Sequence, residues 1–373
     1  MIERVRIGVV GAGLIAQCEH IPNLLALADR FDLVGVCDAS PTARGFVADH
    51  FGLRAFPDSD ALLGERLDAV VVASPDHTHV AETIKALSRG LHVLCEKPLC
   101  YGVVEADRVI AARDRAGKVV QVGYMKRHDP SYEACLGLLS EGAERLRSVS
   151  VEVADPDAWP FLEGHPHRLG RDLPVNLIEA GRAAKTGQIR EALGMDAPPT
   201  IRKGFAEVFC SSLVHDVNAV HGLLDGLGVA DGEIVAAELF AEGSSGFGAV
   251  SLLDGQALWH MSYVATPQLA DYRERIALTF DNRVIELVFP SPYLNHLPTR
   301  LVVRQSDGPK LEIREIRSGF GEAFVRELEA FWSAIVAGTP VRNSVEDARR
   351  DQRLLVALAR QAAARPTASS SRT

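Results

Sequence analysis

Three features of this sequence carry residue types that can do chemistry at a spacing that suits it. The first is Gly11-Ala12-Gly13-Leu14-Ile15-Ala16, set between an apolar run and a helix-forming segment. Gly11 permits a tight turn, Gly13 lets a pyrophosphate approach the backbone, and Ala16 allows close helix–strand packing. Leu14 and Ile15 then open a helix whose free N–H groups face the phosphates. Asp38 stands 25 residues after Gly13, near the roughly 20 at which a dinucleotide fold places its ribose-binding acid. A carboxylate there accepts from both adenosine ribose hydroxyls and repels a 2′-phosphate, which favours NAD over NADP. Arg44 could soften that preference, although a solvated helix position explains it as well. The second feature is Lys97, in Cys95-Glu96-Lys97-Pro98-Leu99, at the carboxyl end of an expected parallel strand, where open α/β sheets hold their ligands. The third is His215, one of twelve histidines, on a helical segment closed by Gly226. By itself a histidine on such a face reads as a core residue.

These groups need a framework, and the first 125 residues supply one. Val5–Val10, Leu33–Cys37, Ala69–Ala73, His92–Cys95 and Val119–Val122 are short β-branched runs. Helix-length segments, including Thr78–Arg89 and Val103–Ala116, separate them, so βαβ units and a parallel, doubly wound sheet are expected. After Tyr124 the character changes. Strand-like runs follow one another from Val149 to Ile316, with a turn at Asp281-Asn282-Arg283, and helices at Glu322–Val336 and Val345–Ala363 close the chain. The expectation is an α/β Rossmann domain at 1–125. An α+β domain with a large, mostly antiparallel open sheet follows at 126–365, its last helix packing back on the first domain. Residues 366–373 read as a disordered tail.

Composition narrows the partners. The 373 residues carry 40 Lys and Arg against 49 Asp and Glu, a net charge of −9, which gives no electrostatic reason to expect nucleic acid or an anionic membrane. No run approaches the roughly 18–20 apolar residues of a spanning helix, and the N-terminus lacks the form of a signal peptide. Six scattered cysteines form no Cys-x-x-Cys pair and read as buried thiols. A soluble cytoplasmic protein is expected.

Further motifs follow the third, fourth and fifth strands: Ser74-Pro75 with His79, Gly90-Leu91-His92-Val93 leading into Glu96-Lys97-Pro98, and Gly123-Tyr124-Met125-Lys126-Arg127. In this order and spacing the chain resembles the Gfo/Idh/MocA oxidoreductases, closely over 1–128 and in outline beyond. The resemblance implies NAD bound along Gly11–Ile15, Asp38, Ser74, Pro75, His79, Glu96 and Lys97. It implies that Lys97 touches the reacting hydroxyl, stabilising a developing alkoxide, and that Pro98 fixes the turn with a cis bond. It makes His215 the base for the hydroxyl proton. The family carries Asp-x-x-x-His here and often a second acid three places on. In this chain Ser211 and Asn218 stand at those positions. Helical spacing still allows Ser211, His215 and Asn218 one polar cluster, with Asp216 on another face. Without a neighbouring aspartate, His215 is expected to keep a low pKa and remain neutral.

The substrate pocket is further expected to draw on Tyr124 and Arg127, the latter equally well an interdomain ion pair. Asp155–Pro199, with six prolines and one short helix at Gln188–Leu193, is longer than the basic plan requires. Its Trp159 and Arg168 could cap a sugar ring, or the segment could be an oligomerisation arm. His165 and His167 resemble a metal pair, but no further ligand stands at a suitable spacing, so no metal is expected. The resemblance implies an NAD-dependent dehydrogenase acting on a secondary hydroxyl of a sugar, glycoside or cyclitol, as a homodimer or homotetramer. Two other readings remain. One is an NAD-dependent glycosidase that works by transient oxidation, elimination and re-reduction. The other is an NAD-binding regulatory protein without turnover.

Overall fold

A computed structural model describes residues 4–139 and 145–364, and residues 366–373 lie outside that range. Val5–Val10 (β1), Phe31–Cys37 (β2), Ala55–Phe56 (β3), Ala69–Val72 (β4), His92–Glu96 (β5) and Val120–Gly123 (β6) form one sheet. Its order is β3-β2-β1-β4-β5-β6, and every pairing is parallel. The apolar runs are continuous because both faces are covered. On β4, Val70 and Val72 face one core layer while Ala69 and Val71 face the other. The covering helices include Ile21–Ala26 (α1), Pro41–Phe51 (α2), Ser59–Leu63 (α3), His79–Ser88 (α4) and Val103–Ala116 (α5). A π-helical stretch, Ala16–His20, leads into α1. The two-residue strand β3 has too little apolar sequence to be read in advance.

Pro130–Leu139 (α6) follows, then the second sheet: Leu146–Asp155 (β7), Glu233–Phe240 (β8), Ser245–Leu252 (β9), Ala257–Ala265 (β10), Arg273–Phe280 (β11), Arg283–Phe289 (β12), Arg300–Asp307 (β13) and Lys310–Ile316 (β14). The order is β14-β13-β12-β11-β7-β10-β9-β8, with only the β7–β10 pairing parallel. The turn expected around Asp281 joins β11 to β12. One face packs inward through Val149, Val151, Trp259, Met261 and Ile276. The other is open.

Between β7 and β8 lie Val175–Leu193 (α7), Pro199–Gly204 (α8) and Val214–Gly226 (α9), the last two joined through a π-helical stretch, Phe205–Leu213. The short helix expected at Gln188–Leu193 is therefore the last turn and a half of a 19-residue helix. The six prolines all lie outside it. Ala323–Val336 (α10) and Val345–Ala364 (α11) end the described chain. Leu328 and Phe331 of α10 fill the core under the first sheet, and α11 lies between α5 of the first domain and α9 and β8 of the second. All six cysteines are buried free thiols. No helix among the described residues is long and apolar enough to cross a membrane.

Candidate active site

The glycine turn has the form a dinucleotide requires. Gly11 takes φ +99°, and a Cβ there would lie 2.5 Å from the Ala73 carbonyl oxygen, so only glycine fits. At Gly13 the nearest atom to such a Cβ is 4.0 Å away, which leaves that backbone open to an approaching pyrophosphate. Asp38, at the end of β2, accepts the Ala12 N–H through Oδ2 and the Ser40 N–H through Oδ1, each at 2.8 Å. Its carboxylate is thereby held rigidly, with lone pairs left for ribose hydroxyls. Arg44 is turned back on the chain, donating to the carbonyls of Asp38 and Ala39 at 2.7 and 2.9 Å. These residues fit a nicotinamide dinucleotide, whether NAD or NADP.

The carboxyl ends of β4 and β5 border a cavity of about 380 Å³. Ile15, Ser74, Pro75, Glu96 and Lys97 line it from the first domain, and Ser211 and His215 from the second. His79 braces the two strand ends: Nδ1 lies 2.8 Å from the Pro98 carbonyl oxygen and Nε2 2.8 Å from that of Ser74. The Lys97–Pro98 peptide is cis. Glu96 accepts from His20 Nε2 at 2.8 Å and from the Lys97 N–H at 3.1 Å. Burial would raise its pKa, but the His20 contact and the Lys97 charge hold it below the usual carboxylate range. Lys97 Nζ crosses the cleft and donates to the Ser211 carbonyl oxygen at 2.9 Å. That carbonyl belongs to the π-helical stretch, a winding often found at functional sites. Burial lowers the Lys97 pKa, against the opposing pull of Glu96.

His215 is half-buried, with Tyr124 edge-on at 6.3 Å, and its buried Nδ1 has no hydrogen-bond partner among the described residues. Burial first, then the charges of Lys97 and Lys126, push its pKa well below that of a free imidazole. It is therefore neutral near pH 7. Asp216, next in sequence, faces the other way, 3.5 Å from Lys126 Nζ. Lys126 also pairs with Glu274, which accepts from the Tyr272 hydroxyl at 2.9 Å. Burial and the Glu274 charge push the Asp216 pKa up.

The structure does not bring every expected residue to this cavity. Asn218 is not in a cluster with Ser211 and His215: its Nδ2 donates to Asp351 of α11 at 2.7 Å, because α11 covers that side of α9. Tyr124 lies behind His215 in the core, 1% exposed. Arg127 takes the ion-pair alternative, 3.7 Å from Asp347. Trp159 is 55% exposed and does not line this cavity. Arg168 is exposed too, its backbone held by Gln17 of the first domain. His165 and His167 are used structurally, His165 Nε2 lying 2.7 Å from the Tyr293 carbonyl oxygen. Tyr293 and Phe324, which also line the cavity, carried no sequence signal, and Met125, a third lining residue, was legible only as part of the Gly123–Arg127 motif. Asp76 was legible only as a neighbour of Ser74-Pro75. It accepts from Tyr101 at 2.6 Å and Lys185 at 2.7 Å. Burial raises its pKa, but contacts with His77, Lys185 and Tyr101 hold it far below the usual range.

Residues 5–124 match the profile of an oxidoreductase family with an NAD-binding Rossmann fold. An inositol 2-dehydrogenase of Rubrobacter xylanophilus is 38% identical over 175 residues, 44% of this chain and 50% of that enzyme. The chain spans about half the length of the curated relatives it matches. Solved structures match almost end to end. UDP-N-acetylglucosamine 3-dehydrogenase GnnA from Acidithiobacillus ferrooxidans has a TM-score of 0.69 at 22% identity, covering 97% of this chain and 98% of its own. KijD10, a 3-ketoreductase from Actinomadura kijaniata in complex with NADP and TDP-benzene, has 0.71 at 20%, covering 95% and 97%. At these identities the likeness is one of fold.

Proposed function

We propose that this chain, a member of the Gfo/Idh/MocA oxidoreductase family by its Rossmann domain at residues 5–124, oxidises a secondary hydroxyl of a sugar, glycoside or cyclitol with NAD as acceptor. One observation carries the reading: Lys97 from the first domain and His215 from the second line the same cavity, beside the Ser74–Pro75 edge of the dinucleotide cleft. The nicotinamide ring, when bound, supplies the hydride acceptor. Lys97 stands ready to exchange its Ser211 contact for the substrate oxygen, where its charge stabilises a developing alkoxide. His215, neutral in this setting, receives the hydroxyl proton. Ser211 adds a hydroxyl without adding charge. Asp38 favours a free 2′-hydroxyl on the cofactor. Leu258 and Val264 are exposed on the open face of the second sheet, which favours self-association into a dimer or tetramer through that face.

The test is NADH formation, followed by absorbance, with inositols, free sugars and glycosides as substrates. Turnover is expected with at least one of them. Lys97→Ala should lower it about a thousandfold or more while NAD⁺ affinity stays within about threefold. Near-normal turnover by that variant removes the lysine from the mechanism. Release of aglycone without net NADH replaces the dehydrogenase reading with the redox-cycling glycosidase.

A further inference from the structure

The segment leading from β7 to α7 lays a carboxylate on the end of β2, at the far end of the cleft from Lys97. Its backbone is gripped at Arg168 by Gln17, which directly follows the glycine motif. The Gln17 side chain accepts the Arg168 N–H at 2.7 Å and donates to its carbonyl at 3.0 Å. Gly170 then comes so near Ser40 that a Cβ there would stand 2.0 Å from Ser40 Oγ. Ser40 cannot swing aside without giving up its cap on α2, where its hydroxyl accepts the Ala43 N–H at 3.1 Å. Two residues on, Asp172 accepts the Ser40 hydroxyl through Oδ1. Its Oδ2 accepts the Thr42 N–H at 2.9 Å and the Thr42 hydroxyl at 2.7 Å.

Two hydroxyls and a first-turn N–H of an 11-residue helix are the groups that would hold a phosphate. They stand two to four residues beyond Asp38, the acid placed to meet the adenosine ribose. Here all three are engaged by Asp172, and the two carboxylates bracket one residue: Asp38 accepts the Ser40 N–H and Asp172 its hydroxyl. The hydrogen bonds from Ser40 and Thr42 keep the Asp172 carboxyl at about 2, so it is ionised across the neutral range.

We propose that Asp172 is a specificity-determining residue for the cofactor: it occupies the donors beyond the end of β2 that a 2′-phosphate would need, and so makes the cleft reject 2′-phosphorylated dinucleotides. The proposal rests on the reading that this cleft binds NAD, and it assigns the discrimination to Asp172 together with Asp38. It also gives the long arm a function in the cofactor site.

Equilibrium binding tests it without turnover. Dissociation constants are measured calorimetrically for NAD⁺ and NADP⁺, and for the fragments 5′-ADP and 2′,5′-ADP, which report the adenosine end alone. The unmodified enzyme is expected to favour NAD⁺ and 5′-ADP. Asp172→Ala should bind NADP⁺ and 2′,5′-ADP about tenfold tighter or more, with NAD⁺ changed less than about threefold. Asp172→Asn, which keeps the shape and loses the charge, should fall between. An unchanged NAD⁺/NADP⁺ ratio in Asp172→Ala overturns the role of Asp172 while leaving the cofactor reading intact. A preference for NADP⁺ in the unmodified enzyme overturns the NAD reading itself.

Discussion

His215 has to accept a proton in a setting made positive by two lysines, and that fixes how activity should respond to pH. A histidine with an ordinary pKa near 6.5 would lose its base function just below neutrality. Burial and the charges of Lys97 and Lys126 move His215 well below that value, so the neutral, proton-accepting form persists as the solution is acidified. The profile of kcat/KM is accordingly expected to stay flat from about pH 8 to about pH 6, with no inflection near 6.5. An acid limb centred near 6.5 would show a different base, or a histidine freed of those charges. A base this weak can function only if the substrate hydroxyl is itself made more acidic, which is what Lys97 offers. At this scale the sequence was legible where backbone geometry or strand-end position restricts residue choice. Gly11 sits where a Cβ has no room, and Lys97 follows the end of β5. Trp159 and Arg168 have side chains that suit a sugar ring, but nothing local aims them at the cavity. Tyr293 and Phe324 reach it only because the chain returns some 200 residues after Lys97.

Among the elements, the pairing of α9 with α11 explains why Asn218 left the site that its spacing suggested. Asp351 is fully buried, and Asn218 and His221, three residues apart on α9, meet its two oxygens at 2.7 and 2.6 Å. The polar stripe that runs from the π-helical stretch into α9 therefore divides: Ser211 and His215 face the cavity, and Asn218 and His221 secure the helix that joins the domains. Asn218→Ala is expected to lower stability by about 1.5–3 kcal/mol, the cost of a lost hydrogen bond to a buried charged group. Urea unfolding would show this as a lower midpoint at unchanged slope, with kcat unaffected at temperatures where the protein is folded. A loss of kcat without a loss of stability would return Asn218 to the catalytic cluster. Element legibility follows burial. Strands covered on both faces announce themselves as apolar runs, and their ends were readable to within a few residues. Helix α7 buries only Ile189 and Leu193. With most of its length exposed and glycines at 181 and 187, it shows no apolar period, and the prolines flanking it made the whole stretch look irregular.

For the molecule as a whole, the junction of the two domains stores acidic groups that should make stability fall as pH rises. Glu19 lies on the π-helical stretch before α1, and Glu327 lies on α10, which returns from the second domain to pack under the first sheet. Both are buried. Burial pushes the Glu327 pKa up, with Glu96 adding to it. Glu19 is raised to about 8 by burial, despite a hydrogen bond from Asn23, with the charges of Glu322 and Glu96 adding to the shift. In the unfolded chain such a group titrates near 4.3. Between that value and about 8 the folded protein thus holds one proton more than the unfolded chain at Glu19. The stability it contributes is complete at low pH and is lost progressively as pH rises, at about 1.4 kcal/mol per unit. Above about 8 both states are ionised there and the loss levels off. Glu19→Gln removes the titration while nearly keeping the shape. Relative to the unmodified protein, this variant should gain stability as pH rises from 6 to 8, by on the order of 2 kcal/mol, with little further gain by pH 9. Chemical unfolding midpoints at pH 6, 7, 8 and 9 would measure it. A difference between the two proteins that stays constant over that range would mean that Glu19 is ionised in the folded state, satisfied by a partner such as a bound cation, and that the interdomain junction is not the origin of any alkaline instability.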